Sequence, residues 1–345
     1  TFPWCLRDSV ANPLFQQPAS RVVDLRTHYP GSYVQLPFTI SREEKQMKNI
    51  FRHIPPKAGF FFVVFCLFTT TNPLHAQWVQ SNGPYSGDVR CLAVSGTNVF
   101  AGTYSGDVFL STNNGTSWTA VNNGLPGGWV RVLAISGTNV FAGTIGRGLY
   151  RTTDNGTNWT LVNNDMRDVR ALAVSGTPLY AAAFNGFWRS DNNGTTWTTV
   201  GNLGIVIAAL AISGTTVVAG TAIGIYRSND GGANWDRDLG LTYNVTTFAV
   251  GGPYLVAGTW GVGVFINTGT SWTAVNNGLT HRYIQALHVS GPDLFAGTTY
   301  DGGVFRSANN GANWEPVNTG LTNLDVIQAL AVSGTNVFAG TRVDG

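Results

Sequence analysis

From residue 77 onward the chain alternates short apolar runs with breaks rich in glycine and asparagine, and no helical period appears. One unit, residues 89 to 125, reads VRCLAVSG-TNVFAGTYSG-DVFLSTNNG-TSWTAVNNGL. Its four runs are rich in Val, Phe, Ala, Thr and Trp, and each is bounded by Gly, Asn or Ser, which predicts four strands joined by tight turns. The first run, Val89 to Val94, is apolar apart from Arg90. That composition suits an inner strand covered by neighbours on both faces. The last run starts at a tryptophan and alternates with Thr and Asn, as a half-exposed edge strand should.

The unit recurs. Trp118, Trp159, Trp197, Trp235, Trp272 and Trp314 are separated by 41, 38, 38, 37 and 42 residues. Each closes a variant of S-x-(D/N)-x-G-x-x-W: STNNGTSW, TTDNGTNW, SDNNGTTW, SNDGGANW, a shortened INTGTSW, and SANNGANW. A V-F-A-G-T type strand keeps the same beat, at Ala101, Ala142, Ala181, Ala219, Ala257, Ala296 and Ala339. A period of about 40 residues built from four short strands predicts an all-β fold, a β-propeller of four-stranded blades. Six whole repeats are followed by a seventh unit, Ile327 to Thr341, that repeats only the first two strands. Trp78 lies 40 residues before Trp118, and Trp78 to Gly83 matches an outermost strand. Trp78 to Asn82 is therefore expected to pair with or lie beside the partial blade and close the ring, with the array a C-terminally truncated part of a seven- or eight-bladed propeller.

The tryptophan box has a mechanical reading. Asn113, Asp154, Asn192, Asp230 and Asn309 are placed to bond the backbone two residues on, and Gly115, Gly156, Gly194, Gly232 and Gly311 to supply a positive φ. Each tryptophan buries a large apolar surface beside the turn. Asp154, Asp230 and the six tryptophans are thus expected to hold the fold together rather than bind a ligand. The motif resembles the Asp-box, or bacterial neuraminidase repeat, of sialidases, sortilin-type receptors, xyloglucan hydrolases and photosystem-assembly-factor-like propellers. The resemblance covers residues 77 to 345, and its wording is most similar to secreted bacterial propellers. It implies a fold and leaves the ligand open, because the box is structural in those families.

The preceding segment divides in two. Residues 47 to 76 read as a secretory signal: Lys48, Arg52 and Lys57 give a basic start, Phe60 to Phe68 an apolar stretch, and Ala76 a cleavage point before Gln77. An uncleaved anchor is the alternative. Residues 1 to 46 share no period with the repeats and precede Met47, so they are expected to be upstream sequence translated by mistake, or else a disordered extension. The net charge of +2 belongs to these leading segments; from Gln77 onward there are 12 Arg, no Lys, 13 Asp and one Glu. A surface so near neutrality offers no case for nucleic acid or an anionic membrane. Cys91, the sole cysteine after the signal, is expected to pack as a small hydrophobe.

Function is sought on loops that vary. In a four-stranded blade, the loops before strand one and after strand two share one face. Here those loops carry Tyr104, Trp129, Arg147, Arg167, Trp260, Arg282, Tyr283, Tyr300 and Asp301, whereas the SGTN turns and boxes of the opposite face are monotonous. The aromatics can stack on sugar rings or anchor a peptide, or they can plug gaps between blades. Arg90, Arg131 and Arg170 share one repeat position on three consecutive inner strands and together can hold a carboxylate or phosphate. Later repeats carry Ala208, Thr246, Gln285 and Gln328 there, which favours structural arginines bonding loop carbonyls. The resemblance to sialidases implies a Tyr–Glu pair and an arginine triad, but Glu315, the one Glu of the repeats, follows a box tryptophan on an outer strand. Asp165, Asp168 and Asp301 lie on the variable face, and no spacing pairs them as a hydrolase needs. No nucleophile set, metal-ligand cluster or cofactor motif emerges. The expectation is a secreted or cell-surface propeller that binds a glycan or protein without catalysis; the alternative is a carbohydrate-active hydrolase completed by sequence beyond residue 345.

Overall fold

In the computed structural model the described residues are 4–7, as backbone, and 77–342 apart from 82, 85, 86, 175, 202, 252, 253, 270 and 323. The signal segment 47–76 and the remainder of 1–46 lie outside the described residues. The described residues form twenty-eight strands, numbered β1 to β28 in chain order, and no helix. They make seven four-stranded antiparallel sheets arranged as a β-propeller. The first blade shows the plan: β3 (Val89–Ser95) lies innermost, then β4 (Asn98–Thr103), β5 (Val108–Ser111) and, outermost, β6 (Thr119–Ala120).

Six blades are continuous in sequence and the seventh is composite. Its order runs β2 (Gln77–Gln80), β1 (Trp4–Arg7), β28 (Asn336–Thr341), β27 (Ile327–Ser333). The segment at Trp78 thus joins the sheet of Ile327 to Thr341, as expected. It does so as fourth strand, with β1 paired between it and β28. No strand was anticipated before residue 77. The gap between β28 and β2 is one strand wide, and an intervening strand pairs the backbone on both of its edges.

The core is divided among the joints between blades. Seven apolar clusters occur, one at each interface, including the joint that closes the ring, where Val89, Val99 and Phe109 pack with Phe338. Glycine of the A-G-T strand sets the spacing. A Cβ on Gly102 would stand 2.6 Å from Val130 of the next blade, and one on Gly258 would stand 2.6 Å from Ile284. These glycines are needed for close approach rather than for an unusual φ. The third blade carries Ala182 instead, and it is 1% exposed.

The box differs in detail from the reading above. Asn113 Oδ1 accepts from the backbone N of Ser117, four residues on, and Ser111 Oγ accepts from Gly115 N. The same pair recurs at Asp154 with Thr152, at Asn192 with Ser190, at Asp230 with Ser228 and at Asn309 with Ser307. The left-handed backbone extends over two residues, for instance Asn155 (φ 55°) and Gly156 (φ 89°), so the turn is too wide for a two-residue bond. Only in the shortened fifth box does Gly269 N reach Asn267 Oδ1, two residues back. Hydrogen bonds from Thr152 and from Asn158 hold the Asp154 carboxyl down at about 2, and those from Asn234, side chain and backbone, do the same for Asp230.

Four of the tryptophans reach across blades with their ring N–H. Trp159 Nε1 donates to Val121 O of the preceding blade, 2.7 Å, and Trp159 N to Asn123 O, 2.8 Å. Trp314 repeats both bonds with Val275 and Asn277. So does Trp78, with Val317 and Thr319, and it is 1% exposed. Trp78 is therefore the box tryptophan of the composite blade, although no box precedes it. Trp272, deprived of a full box, donates to Asp238 Oδ2 instead and lies under Arg227. Burial opposes ionisation of Asp238, but hydrogen bonds from Arg227 and Trp272 outweigh it and leave the carboxyl below its ordinary range.

The inner strands surround a central channel with a cavity of ≈ 610 Å³. Its wall is layered, because the first strands repeat in register: a Leu layer with Phe248 in the fifth blade, an Ala layer with His288 in the sixth, and a Val/Ile layer. Burial pushes the His288 imidazole down to about 4.

Two outcomes follow from this packing. Trp78→Ala is expected to cost about 3 kcal/mol or more, as for Trp159→Ala, because each opens a cavity at a blade joint. Urea midpoints check this, and a Trp78→Ala loss as small as that of an exposed residue would refute its structural role. His288 is neutral in both states above pH 6.5. As the pH falls from 6.5 to 4 the unfolded chain protonates first, so stability declines, by about 3 kcal/mol if the full depression is realised. His288→Ala restores the residue of the other blades and should flatten that slope in melts at pH 4 to 7.

Candidate binding face at the channel mouth

The end of strand two and the start of strand one meet at the variable face. In six blades the residue after strand two donates its N–H to the carbonyl before strand one. The pairs are Tyr104 to Asp88, Ile145 to Trp129, Phe184 to Asp168, Trp260 to Asn244, Thr299 to Tyr283 and Arg342 to Val326. This extra rung fixes two side chains per blade at the rim, so sequence changes there alter the surface and leave the blade intact.

Two aromatic groups result. Trp260 follows β20 (Tyr254–Thr259) in the fifth blade; Tyr283 precedes β23 (Ile284–Ser290) and Tyr300 follows β24 (Asp293–Thr298) in the sixth. Their rings meet edge to face, with centroids 5.2 Å apart for Trp260–Tyr283, 6.0 Å for Trp260–Tyr300 and 5.0 Å for Tyr283–Tyr300. They remain 40%, 40% and 58% exposed, so they form a surface cluster rather than a plug between blades. The blades are joined here by a bridge between Trp260 and Tyr283 and by Gly261 N and Gly263 N, which both donate to Arg282 O. Tyr300 and Asp301 both adopt left-handed backbone, φ 57° and 62°, a conformation that non-glycine residues rarely take. The second group is Tyr104 with Trp129, centroids 4.0 Å apart, and the Arg90 guanidinium lies 5.0 Å from the Tyr104 ring centre.

The three arginines occupy a seven-fold repeated β-bulge. In every blade the register shifts at the second residue of the first strand. Bulges redirect a side chain, and here they carry Arg90, Arg131, Arg170, Ala208, Thr246, Gln285 and Gln328. Arg90 is ion-paired with Asp88 at 2.9 Å and Arg170 with Asp168 at 2.5 Å. Trp129 stands where Arg131 would need its Asp, and Arg131 has no ion pair among the described residues. Arg131 is open to solvent on one side, and partial desolvation, followed by the charge of Arg170, lowers its pKa. The expectation of arginines bonding loop carbonyls gives way to carboxylate pairing, because an Asp two residues earlier shares the rim with two of them. The signal was legible as D-V-R in two repeats and W-V-R in the other.

Several of the sequence candidates stand apart from these groups. Arg147 lies near Gly128, and Arg167 donates its backbone N–H to Asn185 Oδ1. His281 packs against Phe305 and hydrogen-bonds Thr280. Phe184, 64% exposed, is the most exposed aromatic of the face. Among the described residues, no three His, Cys, Asp or Glu side chains are grouped to hold a metal ion, and no helix is long and apolar enough to cross a membrane. Cys91 is buried and unpaired, its Sγ near Val130 O, and burial pushes its thiol up to about 12.

No family model matches this chain, and no curated protein sequence does. Solved structures do resemble it. The GH74 xyloglucanase from Xanthomonas campestris superposes with a TM-score of 0.60 at 16% identity, over 74% of this chain and 51% of the enzyme. The extracellular domain of the putative one component system BT4673 from B. thetaiotaomicron gives 0.60 at 19% identity, over 76% of this chain and 38% of that one. YCF48 from Cyanidioschyzon merolae gives 0.58 at 14% identity, over 77% and 96%, and a YCF48 bound to D1 peptide gives 0.50 at 15%, over 64% and 78%. This chain thus spans about half or less of the xyloglucanase and the BT4673 domain. At these identities the likeness is one of fold: the chain is a β-propeller whose scaffold is similar to those of an enzyme, an extracellular domain and a peptide-bound protein.

Proposed function

We propose that this chain is a secreted or cell-surface propeller of the Asp-box kind that binds a glycan or protein partner without catalysis. Secretion rests on the signal-like character of residues 47–76. The observation that carries the binding reading is the Trp260–Tyr283–Tyr300 cluster, which keeps three large aromatic side chains exposed on a rigid, interblade-bonded rim. Aromatic anchors on a preformed surface contribute contact area with little loss of conformational entropy, which suits either a sugar ring or an apolar peptide side chain. The fold likeness to a YCF48 bound to D1 peptide supports a protein partner, and the likeness to a xyloglucanase supports a glycan. That second likeness also favours the hydrolase alternative. Against it, Asp168 is engaged by Arg170.

Trp260→Ala, Tyr283→Ala and Tyr300→Ala should each weaken capture by about 2 kcal/mol while shifting stability by only about 0.5 kcal/mol. A glycan array and a peptide array, followed by titration of the best binder against the three variants, read the first effect, and melting curves the second. Binding that is indifferent to all three variants would remove the cluster from the site. Turnover of a sialoside or xyloglucan that is lost in Asp168→Asn or Asp301→Asn would instead establish the hydrolase.

A further inference from the structure

The channel combines features that the aromatic rim does not explain. Below the bulge level, the wall is built from Leu, Ala and Val/Ile layers, with Phe248 and His288 as the departures. Its ≈ 610 Å³ matches small-molecule sites in size, in a space that stays open to solvent. Two residues before the Leu layer come the bulge side chains, and the arginine arc of that level carries three guanidinium groups against the two carboxylates of Asp88 and Asp168. Arg131, exposed to solvent, is the guanidinium of this arc that has no ion pair among the described residues, and it lies two residues before Leu133 of the channel wall. From Arg131 to Ile135 the strand advances four residues, about 13 Å at about 3.3 Å each.

We propose that the channel binds a small amphipathic carboxylate, with its head group on Arg131 and its acyl chain along the aliphatic layers. A carboxylate supplies the missing counter-charge, and a charge-assisted hydrogen bond to a guanidinium is stronger than a neutral one. An apolar tail removes the Leu and Val/Ile side chains from water. The free edges of the seven inner strands also face this space, so the wall keeps backbone polar groups and the tail recovers only part of the energy of full burial. The site differs from the rim cluster in residues and in ligand, so the two readings stand or fall separately.

The test is calorimetric titration of the full chain with butyrate, octanoate, decanoate and decanol. Affinity should rise about twofold per added methylene, roughly half of the full-burial increment. Arg131→Gln should weaken decanoate about tenfold and leave decanol unchanged, since one charge-assisted hydrogen bond is lost. Val250→Trp, at a wall residue that is 49% exposed, should obstruct the channel and weaken both ligands, while Trp260→Ala should change neither. Melting curves of both variants confirm that the propeller is intact. Decanoate binding no tighter than butyrate, or binding that survives Val250→Trp, would overturn the proposal, as would equal losses of decanoate and decanol in Arg131→Gln.

Discussion

The whole ring depends on how closely one blade lies against the next. In six of the seven blades the A-G-T glycine of the second strand faces a β-branched residue at the start of the next first strand, and a methyl group there would meet it at less than a normal contact distance; the third blade accommodates Ala182. Given that spacing, the Phe and Val side chains of each joint interlock, and the box tryptophan can reach the carbonyl of the preceding outer strand. Each blade alone would be a thin sheet with two apolar faces; only adjacency buries them.

The architecture was legible because its physical causes are local and repeated. Strand length, turn glycines and the period can all be read within 40 residues. Of what the sequence left unread, the box turn is local, and the rest involves partners outside one repeat. The box was read as a two-residue turn, whereas its carboxamide or carboxylate reaches four residues on, since two successive left-handed residues widen the loop. Trp78 carried a phase but no box, so its place in the composite blade was inferred from spacing and from likeness to an outermost strand; the bonds to Val317 and Thr319 belong to the three-dimensional ring. The strand at Trp4–Arg7 left no periodic trace.

At the rim, sequence reasoning reached residue types but not groupings. Trp260, Tyr283 and Tyr300 were separate candidates from two repeats, and adjacency of blades five and six unites them. Arg90, Arg131 and Arg170 formed an apparent equal triad. The Asp residues before two of them make the set unequal, a distinction visible only once the side chains share a rim. The channel layers needed the ring to be closed before they could be seen as a wall.

The repeated bulge separates two kinds of inheritance in this molecule. The position before it is always Val or Ile and packs into a blade joint, while the bulge residue itself ranges from arginine to alanine, threonine and glutamine. Seven such sites stand around one axis, each on its own blade, and of these Thr246 also donates across a joint to Ile284 O. A duplicated scaffold of this kind can diversify its preferences one position at a time, so the interior of the ring serves as an adjustable alphabet while the exterior masonry stays fixed.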